Sequence, residues 1–251
     1  TTVSVVTPPV GVPPGTPVLT GPGNTAFPVG LPFNAGEQLN FNVSLGATPQ
    51  PVGSISLQVR PRAKYFNRDG IQLGMKAQTT LAAQRLYFVN DQINSYVDPN
   101  TLLPFRTELQ LVEGRDRVNQ VLTIDQDRGN VVNEKGVRVE VPVGTHDMLS
   151  VLYALRSFNL APPKRNAVSI LINNRPRTLF ITSLKRELID LGGQKVAALQ
   201  LSLTTDDAQS DRLGLRLWVS EDNRRLPLRI SANTPLGPAR ADLAIIPVAR
   251  Q

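Results

Sequence analysis

Gln38-Leu39-Asn40-Phe41-Asn42-Val43-Ser44-Leu45 decides the fold. Leu39, Phe41, Val43 and Leu45 alternate with polar residues, the period-two pattern of a strand with one buried and one wet face. Working outward, Pro49, Pro51 and Gly53 read as a turn, Ile55, Leu57 and Val59 resume the alternation, and Ile71, Leu73 and Met75 continue it. Further strands are expected near 92–98, 104–112, 117–125, 137–143, 167–173, 177–185, 195–204, 213–220, 225–232 and 239–246. Turn residues separate them: Asp98-Pro99-Asn100, Glu113-Gly114, Gly129-Asn130, Asn173-Asn174, Gly192-Gly193 and Asp222-Asn223. About a dozen strands joined by short turns predict an all-β fold with an antiparallel, curved sheet, a partly open barrel or β-spiral.

One segment breaks the rhythm. From Thr145-His146-Asp147 to Arg156, Leu149, Leu152 and Leu155 follow helical spacing, with Met148 and Phe158 near that face. Thr145 or Asp147 is placed to cap the start, and Asn159 with Pro162-Pro163 to stop it. A short helix near 147–158 that is apolar nearly all round is expected to be buried, with the sheet wrapped around it. Residues 81–91 add at most a helical turn.

Upstream, residues 1–36 hold eight prolines and no charged side chain. Such a stretch cannot build a core of its own. Residues 1–30 therefore read as an extended Pro/Gly-rich tail, and 31–251 as a single β domain. Val3, Val5, Val10 and Val12 suit strand addition to a partner, where a neutral segment avoids burying charge.

Composition narrows the function classes. The chain has no cysteine, which excludes disulfides, thiolate nucleophiles and zinc-thiolate sites. No apolar run is long enough for a transmembrane helix. The net charge of +7 rests on 27 cations, of which 21 are arginine. Lys164, Arg165, Arg175, Arg177, Lys185 and Arg186 follow one another with no acid between, a candidate contact for an anionic lipid surface. The competing reading is a solvated strand face. Arg60, Arg62, Lys64 and Arg68 form a second basic cluster. No stacking platform or recognition helix accompanies the charge, so nucleic acid is not an expected partner.

His146 is the sole histidine, so any Ser-His-Asp triad must use it. With Asp147 and Ser150 on the same helical turn it reads as a capping or surface residue instead. Asp125-Gln126-Asp127-Arg128-Gly129-Asn130 lacks the third acid, the sixth-position glycine and the closing Glu of a calcium loop, and Asp206, Asp207 and Asp211 gather in a loop that at most holds Ca²⁺ weakly. No catalytic, cofactor or metal residue is assigned, and no cofactor is expected.

Ile93-Asn94-Ser95-Tyr96-Val97-Asp98-Pro99-Asn100-Thr101-Leu102-Leu103-Pro104, the helix Asp147–Arg156, and Leu217-Trp218-Val219-Ser220-Glu221-Asp222-Asn223-Arg224-Arg225-Leu226-Pro227-Leu228-Arg229 resemble an exported bacterial family, domain of unknown function 3108. The opening Leu31-Pro32-Phe33-Asn34-Ala35-Gly36-Glu37 fits as well, and the resemblance runs over about 31–246. It implies a periplasmic or extracellular, envelope-associated protein whose curved sheet encloses a helix, with no catalytic residues. The chain opens at Thr1, and of two readings, a trimmed piece or a mature exported protein, the second is expected. Asp147, Arg156, Trp218 and Arg225 are assigned structural roles: Trp218 in the core, and Arg156, Arg225 and Arg229 paired with Asp147, Glu221 or Asp222.

The expected function is non-enzymatic, a structural or accessory subunit of an extracytoplasmic assembly that joins other protein subunits through its tail. The alternative is a periplasmic carrier or sensor of a lipid-like apolar ligand, favoured by an open cavity and disfavoured by a packed interior.

Overall fold

The computed structural model describes residues 28–48, 50–207 and 211–248. Val3, Val5, Val10 and Val12, and Pro49 of the first turn, lie outside them. Nine strands precede the helix: β1 (Gln38–Leu45), β2 (Gly53–Val59), β3 (Ala63–Tyr65), β4 (Arg68–Thr79), β5 (Asn90–Val97), β6 (Pro104–Glu113), β7 (Asp116–Asp125), β8 (Asn130–Asn133) and β9 (Arg138–Glu140). The helix α1 (Met148–Ala154) is followed by β10 (Arg165–Ile172), β11 (Arg175–Leu191), β12 (Gln194–Thr205), β13 (Arg216–Ser220), β14 (Pro227–Thr234) and β15 (Gly237–Leu243).

All strands join one antiparallel sheet in the order β10-β11-β12-β13-β14-β15-β1-β2-β4-β5-β6-β7-β8-β9, with β3 attached to β4 alone. It is two meanders sewn together where β15 lies beside β1, Phe41 opposite Leu243. Every connection within a meander is local, which is why the alternation in sequence is so regular.

The sheet is rolled. Leu73 and Val97 on β4 and β5 share one core with Ile189 and Ala198 on β11 and β12, strands far apart in the sheet order. At the far ends, Leu122, Ile124 and Val131 of β7 and β8 pack on Leu171 of β10, and His146 bridges to Ile170. The expected barrel-like sheet around one buried helix is therefore observed. Leu39, Phe41, Ile71 and Leu73 are all but fully buried. Each such side chain contributes about 1.5–3 kcal/mol relative to an exposed one.

α1 has seven residues, too few to persist alone, so packing and capping hold it. Leu149, Val151, Tyr153 and Ala154 are buried against the sheet, while Met148, placed near the apolar face by its spacing, is 62% exposed. The last turn tightens into a 3-10 turn over Leu155–Ser157, and Phe158 is already extended, so the helix ends before Asn159.

Other departures have local causes. Gly53 begins β2 rather than ending a turn; its Cα faces Thr79, where a Cβ would stand 2.7 Å from the Gln78 carbonyl oxygen. The 137–143 strand shrinks to β9, because Val141 turns inward to the seam between β7, β8 and β10. β11 runs on to Leu191 across an irregularity between Ser183 and Lys185. Pro227 stands at a bulge against Trp218 and Val219, as Pro within a sheet requires, though β14 is not an edge strand.

Candidate functional site

Ser, Asp and His meet at the start of α1, but as a cap. Asp147 Oδ1 accepts from the backbone N–H groups of Leu149 (3.0 Å) and Ser150 (2.6 Å), and the Asp147 N–H donates to Ser150 Oγ (3.0 Å). These reciprocal bonds satisfy the free donors of the first turn. Asp147 Oδ2 accepts from Ser95 Oγ (2.5 Å) on β5 and Thr107 Oγ1 (2.6 Å) on β6, two residues facing each other across strands. The carboxylate thus pins the helix to the sheet. His146 Nδ1 lies 3.1 Å from Ser150 Oγ, and its backbone exchanges bonds with Ser169 and Leu171 of β10. That bridge buries it: His146 is 7% exposed, a correction to the surface placement. Burial pushes the imidazole down to about 4, against the opposing pull of Asp147.

Arg156 forms a second buried strut. Nη1 and Nη2 meet Glu37 Oε1 (2.6 Å) and Oε2 (3.0 Å), Nη2 also donates to the Pro32 carbonyl (2.8 Å), and Nε to the Arg224 carbonyl (3.0 Å). Its partner is therefore Glu37, and Asp147 is spent on hydroxyls. Arg229 pairs with Asp242 across β14 and β15, not with Glu221 or Asp222. Arg225 makes no ion pair among the described residues; it serves the turn, at φ 47°. Trp218 is half-buried and packs against the main core, as expected, and its Nε1 donates to Glu187 (2.8 Å). That bond and the one from Lys185 hold the Glu187 carboxyl below its ordinary value.

Beside Arg156, Tyr153 packs its ring edge-on to Phe33, and its buried hydroxyl has no partner among the described residues. An unpaired buried hydroxyl costs free energy. Tyr153→Phe is accordingly expected to leave stability unchanged or raise it by about 1 kcal/mol, read as an unchanged or higher urea midpoint.

Half of the basic run over 164–186 is ion-paired. Arg177 pairs with Asp207 (3.2 Å), Lys185 with Glu187 (2.9 Å) and Arg186 with Glu221 (3.0 Å), while Arg165 lies over the Phe180 ring at 4.0 Å. Lys164 and Arg175 have no ion-pair partner among the described residues. No cluster of metal-ligating side chains occurs among the described residues.

The second basic cluster gathers more. The β3–β4 turn, Phe66-Asn67, has both residues in the left-handed region at φ 51° and 62°, as a two-residue hairpin loop demands. Asn tolerates this; for Phe66 it costs about 1–2 kcal/mol. The strain displays an aromatic ring, 54% exposed, at the hairpin tip. Phe66 meets Tyr96 edge-on at 5.0 Å, Tyr65 meets Tyr96 at 5.3 Å, and the Arg106 guanidinium lies 4.1 Å over Phe66. Phe105 is the extra residue of a bulge between β5 and β6, with Arg68 over its ring at 4.6 Å. Gly70 makes room: a Cβ there would stand 3.0 Å from the Phe105 ring. Glu108 holds Arg106 (2.8 Å) and accepts from the Tyr96 hydroxyl (3.3 Å). Burial first, then Glu108, pushes that phenol up to about 12, so it is no proton donor to a reaction near neutrality. Sequence reasoning saw the cations of this tip and missed its rings, which come from three strands; the glycine-free Tyr65-Phe66-Asn67-Arg68 turn was the available signal.

Among solved structures, the chain is similar to a beta-barrel-like protein of the domain of unknown function DUF1849 from Brucella abortus. The likeness has a TM-score of 0.54 at 10% identity over 82% of this chain and 94% of that one. A DUF1089 family protein from Pseudomonas aeruginosa is similar over 74% of this chain and 92% of that one, at 10% identity and a TM-score of 0.42. At this identity the first likeness speaks for the fold alone. Comparison with curated proteins gives no match. The family model described as a protein of unknown function (DUF3108) matches residues 40–244, from β1 to just beyond β15, and the chain belongs to that family.

Proposed function

We propose that this protein is a non-enzymatic structural or accessory subunit of a cell-envelope assembly, with residues 1–30 as connector and the β3–β4 tip as a second contact. The observation that carries the reading is the tip itself. Strain is retained at an exposed aromatic residue, and strain of this kind persists where a structure uses it. Stacked aromatic and arginine side chains are the residues that dominate protein interfaces. Arg62 is held by Asp69 and Arg106 by Glu108, while Arg60, Lys64 and Arg68 stand exposed around the tip, so an acidic partner segment is the complement. The envelope location follows the resemblance to an exported family. The lipid-carrier alternative is disfavoured, because Leu149, Tyr153 and Ala154 occupy the space that an apolar ligand would need.

Native mass spectrometry tests it on the full chain, on a version lacking residues 1–30, and on Phe66→Asn. Asn suits the turn, so this variant folds at least as well. Both changes are expected to remove a co-purifying subunit or an oligomer while the monomer stays folded. Complexes that survive both changes would overturn the reading.

A further inference from the structure

The face of β1, β2, β4 and β5 that points away from the core carries a groove of about 290 Å³. Gln38, Gln58, Gln72, Gln92 and Asn94 line it, with Arg60 and Lys76 at its sides. Register explains its shape. Gln38 stands opposite Gln58, Gln58 opposite Gly74, and Gly74 opposite Asn94. Gly74 removes one side chain from the middle of this row and leaves a floor between two amides. Wet strand faces favour Thr and aromatic residues, which pair well across strands, whereas Asn is depleted there. A row of amides around a glycine is therefore a choice that sheet stability does not explain.

The chemistry of the lining selects a ligand class. Each primary amide offers two donors and a carbonyl acceptor, the complement of hydroxyl groups that donate and accept at once. Gln72 Nε2 donates to Asn94 Oδ1 (3.1 Å), which orients that pair. The Gln58 and Gln92 side chains make no hydrogen bond to other described residues, so their capacity faces outward. No carboxylate lines the groove. Its two cations tolerate a neutral or anionic ligand and repel a cationic one. Apolar pockets at alternate positions, which an extended peptide would fill, are not among its walls. At one end Gln72 stands opposite Tyr96, so the groove opens toward the aromatic tip. Its volume lies just under the range of small-ligand sites, about 300–1,000 Å³.

We propose that this groove binds a glycan: a short run of neutral or carboxylated sugar residues held by amide-to-hydroxyl hydrogen bonds. The site is separate from the tail and stands whether or not the assembly role does.

The test uses the full chain, isotope-labelled, titrated by NMR with chitotetraose, maltotetraose and a tetrameric polyuronate. Saturable shifts of the side-chain amide signals of Gln58, Gln72, Gln92 and Asn94 with at least one of them are expected. Gly74→Phe is the blocking variant. A Cβ at Gly74 meets only Asn94 Oδ1 at 3.6 Å and the Gln58 carbonyl oxygen at 3.8 Å, ordinary contacts, so the variant folds with its ring in the groove. It is expected to weaken binding about tenfold or more. Gln58→Ala with Gln92→Ala, which leaves the backbone untouched, is expected to weaken it too. Absence of a saturable shift with all three sugars, a saturable response to tetra-alanine alone, or sugar binding that Gly74→Phe leaves intact would each overturn the proposal.

Discussion

Arg156→Met is expected to destabilise the fold by about 3–5 kcal/mol, the largest effect of any single substitution considered. The arginine side chain is 1% exposed and that of Glu37 14%. Removing the guanidinium leaves a carboxylate without its partner in a poorly hydrated place, and it strands the Pro32 and Arg224 carbonyls. Breaking one side of a buried pair is costly for this reason, even where a well-packed apolar replacement of both sides would not be. Arg156 is also the point where the segment before β1, the end of α1 and the β13–β14 turn are tied together. Methionine keeps the packing of the side-chain stem, so the loss reports the charge and its hydrogen bonds. The measurement is urea unfolding of the variant beside the unaltered protein and the double variant Arg156→Met with Glu37→Gln. The double variant is expected to recover part of the loss, since no charge is then left unpaired. A single variant within about 1 kcal/mol of the unaltered protein would show that Glu37 finds water and that the pair is not a strut.

Much of the sheet was legible because its code is local. Leu39-x-Phe41-x-Val43 states a buried face by itself, and short turns between such runs leave antiparallel pairing as the only arrangement. The helix was legible for the same reason: Asp147 and the Leu149, Leu152, Leu155 spacing lie within ten residues. Pairings across the chain were not. Glu37 is 119 residues from Arg156, and nothing near either residue names the other. Trp218 was legible as a core contact, but its half-burial and its bond to Glu187 were not, since Glu187 lies 31 residues away. The aromatic tip depends on a bulge at Phe105 and on space above Gly70, and both are properties of how strands register. The amide groove was hidden likewise. Gln58, Gly74 and Asn94 become neighbours only once β2, β4 and β5 are aligned.

The second large effect is on acid stability, and it belongs to His146. Its folded-state value of about 4 lies well below the ordinary 6.5, because burial against β10 disfavours the charged ring. As pH falls below 6.5, the unfolded chain takes up a proton that the folded protein refuses. The unfolded state then binds more protons, so stability falls with falling pH down to about 4, by roughly 3 kcal/mol in all. Other groups act differently. Glu187, Asp190 and Asp222 are held below their ordinary values, so their contributions fade only from the carboxylate range downward. Glu113, raised by burial and by Asp91, works with the opposite sign. His146→Asn keeps a polar group near Ser150 Oγ and removes the titration. Its stability curve is expected to be flatter than that of the unaltered protein between pH 6.5 and 4. Because this is the chain's only histidine, the ring proton signals report it without ambiguity. A titration midpoint near 6.5 in the folded protein, or equal slopes for the two proteins, would mean that the ring reaches water. The seam between β10 and the start of α1 would then open more readily than its hydrogen bonds indicate, and Asp147, fixed by Ser95 and Thr107, would hold the helix without it.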